Sequence, residues 1–294
     1  MERHLLFYAF AASVIVGMPN ASSAQALSPN ANLADVIAQY RAGSDLVRPA
    51  LARQIDRAAR RLPVEPETAS LRAQAAIVMS QQAARDQRKD LALAQAKLAT
   101  SLSGSLEGAD GKVVRAHAAI AMTRALILQQ DFVTAMTTIV SARRAYGPLI
   151  GELDPLWDEL LLWGTLAHSS APEYLNAQIQ ALNMTDEEEV ALKGVKGRLC
   201  DDTQTGIERN RDEGRQPIYP VISWFSDLQG GVIMRSQIGS DGKVISTRAS
   251  AFSPSEGFAA AAEIAMPTWT YQVPANTPRT CRENFLTVLT FRIQ

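Results

Sequence analysis

The sequence predicts two fold classes in series. An all-helical region over 27–198, either repeat-like or a plain bundle, precedes a small α+β unit over 199–294 with an antiparallel sheet and one helix. Three observations carry this reading. Residues 27–198 are rich in Ala, Leu, Gln and Arg, all strong helix formers, with apolar residues at helical spacing. After Cys200 the pattern shortens to that of strands and turns. At roughly 100–200 residues per domain, a chain of 294 residues has room for two units.

Residues 1–26 read as a secretory signal peptide. Arg3 and His4 give a weakly positive start, Leu5 to Met18 is apolar, and Ala24-Gln25-Ala26 is a small-x-small cleavage pattern. The apolar run would span about 21 Å as a helix, short of a hydrocarbon core of about 30 Å, and Pro19 ends it. The alternative is a retained membrane anchor, which Glu2 favours by weakening the positive start.

Breakers divide the helical region. Val47, Leu51, Ile55 and Ala59 form one apolar row, in a helix expected to open at Gly43-Ser44-Asp45 with Ser44 as cap and to end at Leu62-Pro63. Ala118, Ala121, Met122 and Leu126 form another stripe. Residues 103–111 read as a polar loop, and Gly147-Pro148 and Ser169 to Pro172 as breaks. Thr185 with Asp186 to Glu189 reads as a capped helix start rather than a calcium loop. Leu160 to Trp163 reads as a core helix. Lys89-Asp90-Leu91-Ala92 is echoed by Gln130-Asp131-Phe132-Val133-Thr134-Ala135, which puts Ala92 and Ala135 43 residues apart. The tetratricopeptide norm is about 34, and the loop at 101–111 is expected to absorb the excess. Stacked helix pairs would offer a groove for a partner protein.

In the second unit, Val232 to Ile238 and Val244 to Ala249 read as strands joined at Asp241-Gly242, a dipeptide that supplies positive φ. Gly257 to Met266 reads as a helix ended by Pro267. Thr268 to Tyr271 is extended, and Phe285 to Ile293 is a terminal strand.

These landmarks resemble the TonB C-terminal domain family over about 217–294. Pro217-x-Tyr219-Pro220 resembles its entry motif, Gly230-Gly231-Val232 the start of its first long strand, and Asp241-Gly242 its hairpin. Phe258, Ala261 and Ala262 resemble its helix face, and Trp269-x-Tyr271-x-x-Pro274 its W-x-Y-x-P signature with one extra residue. The resemblance implies a periplasmic protein of a Gram-negative envelope. Its sheet edge would capture an extended segment of a protein partner, such as an outer-membrane receptor or another envelope protein, by strand addition. In this chain the expected edge is the terminal strand, with Phe285, Thr287, Leu289 and Phe291 on one side. A helical region stands where the family's transducers carry a Pro-rich spacer, so the expectation is an interaction module. The alternatives are an anchored energy transducer, held in the inner membrane and facing the periplasm, and a dimerising envelope scaffold.

Cys200 and Cys281 are expected to pair in an oxidising compartment, closing a loop of about 80 residues worth ~4–5 kcal/mol by chain entropy. Free thiols and an intermolecular bond are the alternatives. Three histidines and two cysteines, with no zinc-ligand spacing, argue against a metal or other cofactor. A formal net charge of −1 argues against a nucleic-acid partner. No G-x-S-x-G elbow or phosphate-binding glycine loop is present, so no catalytic residue is assigned and no enzyme is expected.

Overall fold

The computed structural model describes residues 33–149, 154–175, 206–220 and 230–291. The signal segment, Thr185 with its acids, Cys200, Ile293 and the 198/199 division lie outside the described residues.

The chain is helical in its first part and a sheet with helices in its second, as the periodicities require. The helices are α1 (Leu33–Ala42), α2 (Arg48–Ala59), α3 (Ala69–Arg85), α4 (Lys89–Gly104), α5 (Gly108–Leu128), α6 (Phe132–Tyr146) and α7 (Pro155–Ser170). Helix α6 starts where the Asp131 carboxylate accepts the Thr134 N–H at 3.2 Å. Helix α7 starts where Asp154 accepts the Leu156 N–H at 2.9 Å, with Pro155 in the first turn. Alanine dominates the contacts of α3, α4 and α5: Ala76, Ala92, Ala96, Ala118 and Ala121 are all buried. Small side chains let these helices approach closely, and Ser80 Oγ donates across to the Ala92 carbonyl at 2.8 Å.

Two expectations are corrected. Helix α2 begins at Arg48 with Val47 at its cap, and Ser44 does not cap it. The Asp45 carboxylate instead binds Arg48 and Arg85 and accepts the Glu256 N–H, which holds 43–47 in a turn. Residues 103–111 are not one loop, since α4 runs through Gly104 and α5 opens at Gly108. The repeat excess therefore sits in the lengths of α4, 16 residues, and α5, 21 residues, not in the connection between them.

The repeat itself has a backbone signature. Gln87 and Gln130, also 43 residues apart, both adopt left-handed φ, at 57° and 63°. Each is followed by the same bond back into the preceding helix, Arg88 N–H to Ala83 O at 2.8 Å and Asp131 N–H to Leu126 O at 2.9 Å. This is the Schellman helix ending. The α3–α4 and α5–α6 turns are therefore equivalent, and Ala92 and Ala135 behind them are both fully buried.

The second part contains β1 (Glu208–Arg209), β2 (Gly230–Ile238), β3 (Val244–Ser253), α8 (Glu256–Ala265), β4 (Tyr271–Gln272), α9 (Arg279–Glu283) and β5 (Phe285–Phe291). The main sheet is antiparallel in the order β3-β2-β5, and β1 pairs with β4 separately. Gly242 closes the β2–β3 hairpin at φ +79°, where a Cβ would also collide with the Tyr271 carbonyl oxygen.

Both faces of the sheet are covered. On one face, Val232, Met234, Phe285 and Phe291 pack with Phe258, Ala262 and Met266 from α8 and the turn after it. On the other, Ile233, Ala251 and Leu286 join Leu160, Leu162 and Leu166 of α7 in one core. Central strand β2 is buried on both sides, which is why Val232-Ile233-Met234 is unbroken apolar sequence. Gly231 lets α7 approach, since a Cβ there would stand 2.8 Å from a Leu162 methyl.

The free edge of the sheet as a candidate partner-binding site

Strand β5 forms one edge of the three-stranded sheet and β3 the other. The two edges differ. Strand β3 carries two register breaks against β2, where Ser250 and Ile245 are the extra residues. Bulges of this kind bend an edge away from pairing. The outward N–H of Ala249 is also taken by the Glu263 carboxylate of α8 at 2.9 Å. Strand β5 pairs with β2 from Phe285 to Phe291 without a break, and among the described residues no strand lies on its other side.

The direction of the β5 backbone groups follows from two bonds on β3. Ser250 Oγ donates to the Ile233 carbonyl at 3.2 Å, so that carbonyl faces β3. Because the Ala249 N–H points away from β2, its partner Met234 turns its own backbone groups toward β5. Alternation then settles the register. Thr287, opposite Met234, bonds inward to β2, as do Phe285, Leu289 and Phe291. Leu286, Val288 and Thr290 present their N–H and C=O groups outward.

The four edge residues expected from the sequence therefore sit on the edge strand, but their backbones do not face a partner. Their side chains turn toward α8: Phe285 and Phe291 are buried in its core and Leu289 packs on it. Thr287 is half-buried, and its hydroxyl has no hydrogen-bond partner among the described residues. The residues that offer the ladder are the intervening ones. Val288 packs partly on the α7 core, and the Thr290 side chain is exposed.

The family-motif residues occupy structural places. Tyr219 meets the Phe258 and Phe291 rings edge-on at 5.5 and 6.1 Å, and Pro220 rests against Gly257. Gly230 is needed because a Cβ there would stand 2.7 Å from the Phe258 ring. Asp241 accepts the Lys243 N–H in the hairpin turn at 3.2 Å. Trp269 and Tyr271 are buried, with the Trp269 indole N–H donating to the Arg215 carbonyl at 2.7 Å and Arg209 lying 3.5 Å over its ring. Burial lowers the Arg209 pKa, opposed by Tyr271 and reinforced by Arg211. Pro274 packs beside Gly206. Cys281 is disulfide-bonded, while Cys200, the other cysteine of the sequence, lies outside the described residues.

Sequence reasoning missed the devices that blunt β3, Ser250 and Glu263, because a bulge leaves no mark in an alternating pattern. It also passed over Ser240-x-x-Lys243, a serine–lysine spacing seen in some hydrolases; here it falls in the hairpin turn rather than on a helix, with both side chains exposed. Among the described residues no group of His, Cys, Asp and Glu could hold a metal ion, and no helix is long and apolar enough to cross a membrane. No protein-family model, curated protein or solved structure matches this chain.

Proposed function

We propose that this chain is a non-catalytic protein-interaction module that takes an extended segment of a partner protein as a fourth strand along β5. The observation that carries this reading is the asymmetry of the two edges: β3 is bulged twice and capped by Glu263, whereas β5 is regular. An unblunted edge invites association and is normally protected unless pairing is its purpose. Both faces of the sheet are occupied, so affinity would come from the outward groups of Leu286, Val288 and Thr290, with side chains at the rim giving choice. The resemblance of 217–294 to the TonB C-terminal domain family supports an envelope protein as partner, a periplasmic location and a cleaved signal peptide.

The test is site-specific photo-crosslinking from Thr290, whose side chain is exposed, in cells producing the full chain. The expected result is an adduct with one envelope protein that Val288→Pro abolishes, because proline removes an outward N–H without touching the β2 ladder. Thr287→Pro should instead break the sheet and unfold the second part. An adduct with a second copy would establish the dimerising scaffold in place of this reading. No adduct, or one indifferent to Val288→Pro, would overturn strand capture.

A further inference from the structure

A cleft of about 530 Å³ opens where the two equivalent helix turns meet the end of α7 and the end of β3. Its walls come from both parts of the chain: Arg124 from α5, Trp163 and Leu166 from α7, and Ser253 from β3, with Lys89 and Gln130 at the mouth. This volume suits a small molecule.

Arg124 is the unusual member. The residue is 9% exposed, yet among the described residues no carboxylate, carbonyl or hydroxyl accepts a hydrogen bond from its guanidinium. Its one close partner is the Trp163 ring, 5.5 Å from the guanidinium carbon. The carboxylate whose field reaches it, Asp45, is already engaged by Arg48 at 2.7 Å, by Arg85 and by the Glu256 N–H at 3.0 Å. Burial, with the charge of Arg85 behind it, pushes the Arg124 pKa down to about 10. A buried cation without a counter-ion is costly, and a ligand that supplied the missing charge would relieve that cost.

We propose that this cleft binds a small organic anion, its carboxylate paired with the Arg124 guanidinium and its apolar body held between Trp163 and Leu166. The guanidinium fork matches a carboxylate in two parallel hydrogen bonds. Lys89 at the mouth adds a second positive charge, and among the described residues no Asp or Glu lines the cleft to oppose an anion. Ile127, Phe132, Trp163 and Leu166 in the lining favour an anion with an apolar body over an inorganic one. Because α5, α7 and β3 all contribute, the bound anion would tie the helical part to the sheet, independently of whether β5 captures a partner.

The experiment is thermal unfolding of the full chain with phenylacetate and hexanoate, their neutral amides, and inorganic phosphate. Both carboxylates should raise the midpoint saturably below about 10 mM, and the amides should not. Arg124→Met should raise the midpoint of the ligand-free protein, by removing an unpaired buried charge, and should lose the carboxylate response. Arg124→Lys keeps the charge without the fork, and should weaken the response at least tenfold. Lys89→Met should weaken it severalfold with the ligand-free midpoint unchanged. No saturable response to either carboxylate, an equal response to the amides, a response to phosphate alone, or a response that survives both Arg124 variants would overturn the proposal.

Discussion

The Asp158 carboxylate of α7 and the Arg235 guanidinium of β2 meet in a two-pronged ion pair, Nε to Oδ2 at 2.9 Å and Nη2 to Oδ1 at 2.6 Å, with both side chains almost wholly buried. The pair lies between the helical part and the sheet and fixes the register of one on the other. Hydrophobic contact alone would let α7 slide along the apolar face of Ile233, Ala251 and Leu286. A buried charge pair tolerates no such slip, because either ion left alone keeps its desolvation penalty.

Asp158→Asn should therefore destabilise the protein by about 3–5 kcal/mol, the cost of breaking a buried ion pair from one side. Replacing both together, Asp158→Leu with Arg235→Met, should recover most of that loss, since an apolar pair of similar volume suits the site. Urea unfolding of the two variants checks this. A double variant as unstable as the single one would mean that the pair supplies net stability rather than registry.

A second junction predicts a pH dependence. Burial alone would raise the Asp45 pKa, but the Glu256 N–H, Arg85 and Arg48 outweigh it and hold the carboxyl below its ordinary value. With the folded pKa lower than the unfolded one, the contribution to stability is fully present above the unfolded value of about 3.9 and is lost as pH falls through the folded value. Wild type should exceed Asp45→Asn in melting temperature by a constant margin from pH 7 to about 5. Below about 4 the margin should shrink toward zero. A margin that persisted to pH 2.5 would show that Asp45 acts by shape rather than by charge.

The element order was legible because each period is unmistakable: Ala118 to Leu126 can only be a buried helical stripe, and Asp241-Gly242 between two β-branched runs can only be a turn. The terminal strand was legible in its span, yet not in which of its residues face outward. Side-chain alternation fixes the faces of a strand, whereas the hydrogen-bonding direction depends on how its neighbours pair, and Ser250 and Glu263 on another strand and helix decide that. The start of α2 was misplaced for a related reason. Ser44 is a good local cap, but Asp45 finds two long-range partners, Arg85 and the Glu256 N–H, beside Arg48 on its own turn, and tertiary bonds override local preference. Asp158 and Arg235 stand beside apolar runs in the sequence, and only the fold pairs them across 77 residues. The cleft around Arg124 was invisible because its walls are shared among elements distant in sequence.

The equivalent turns at Gln87 and Gln130 make the last prediction. Both glutamines hold a left-handed backbone that glycine adopts freely and other residues resist by roughly 1–2 kcal/mol. Glycine also gains freedom in the unfolded chain, which returns up to about 1 kcal/mol of that difference. Gln87→Gly and Gln130→Gly should therefore each stabilise the protein by about 0.5–1 kcal/mol. If the turns are structural repeats, as their shared bonds to Ala83 and Leu126 imply, the two gains should be equal. Gln87→Ala and Gln130→Ala, which keep the strain, should give no gain. Chemical denaturation of the four variants decides it. A loss on introducing glycine at one turn but not the other would mean that this glutamine's side chain contributes where its counterpart does not, and the equivalence would end at the backbone.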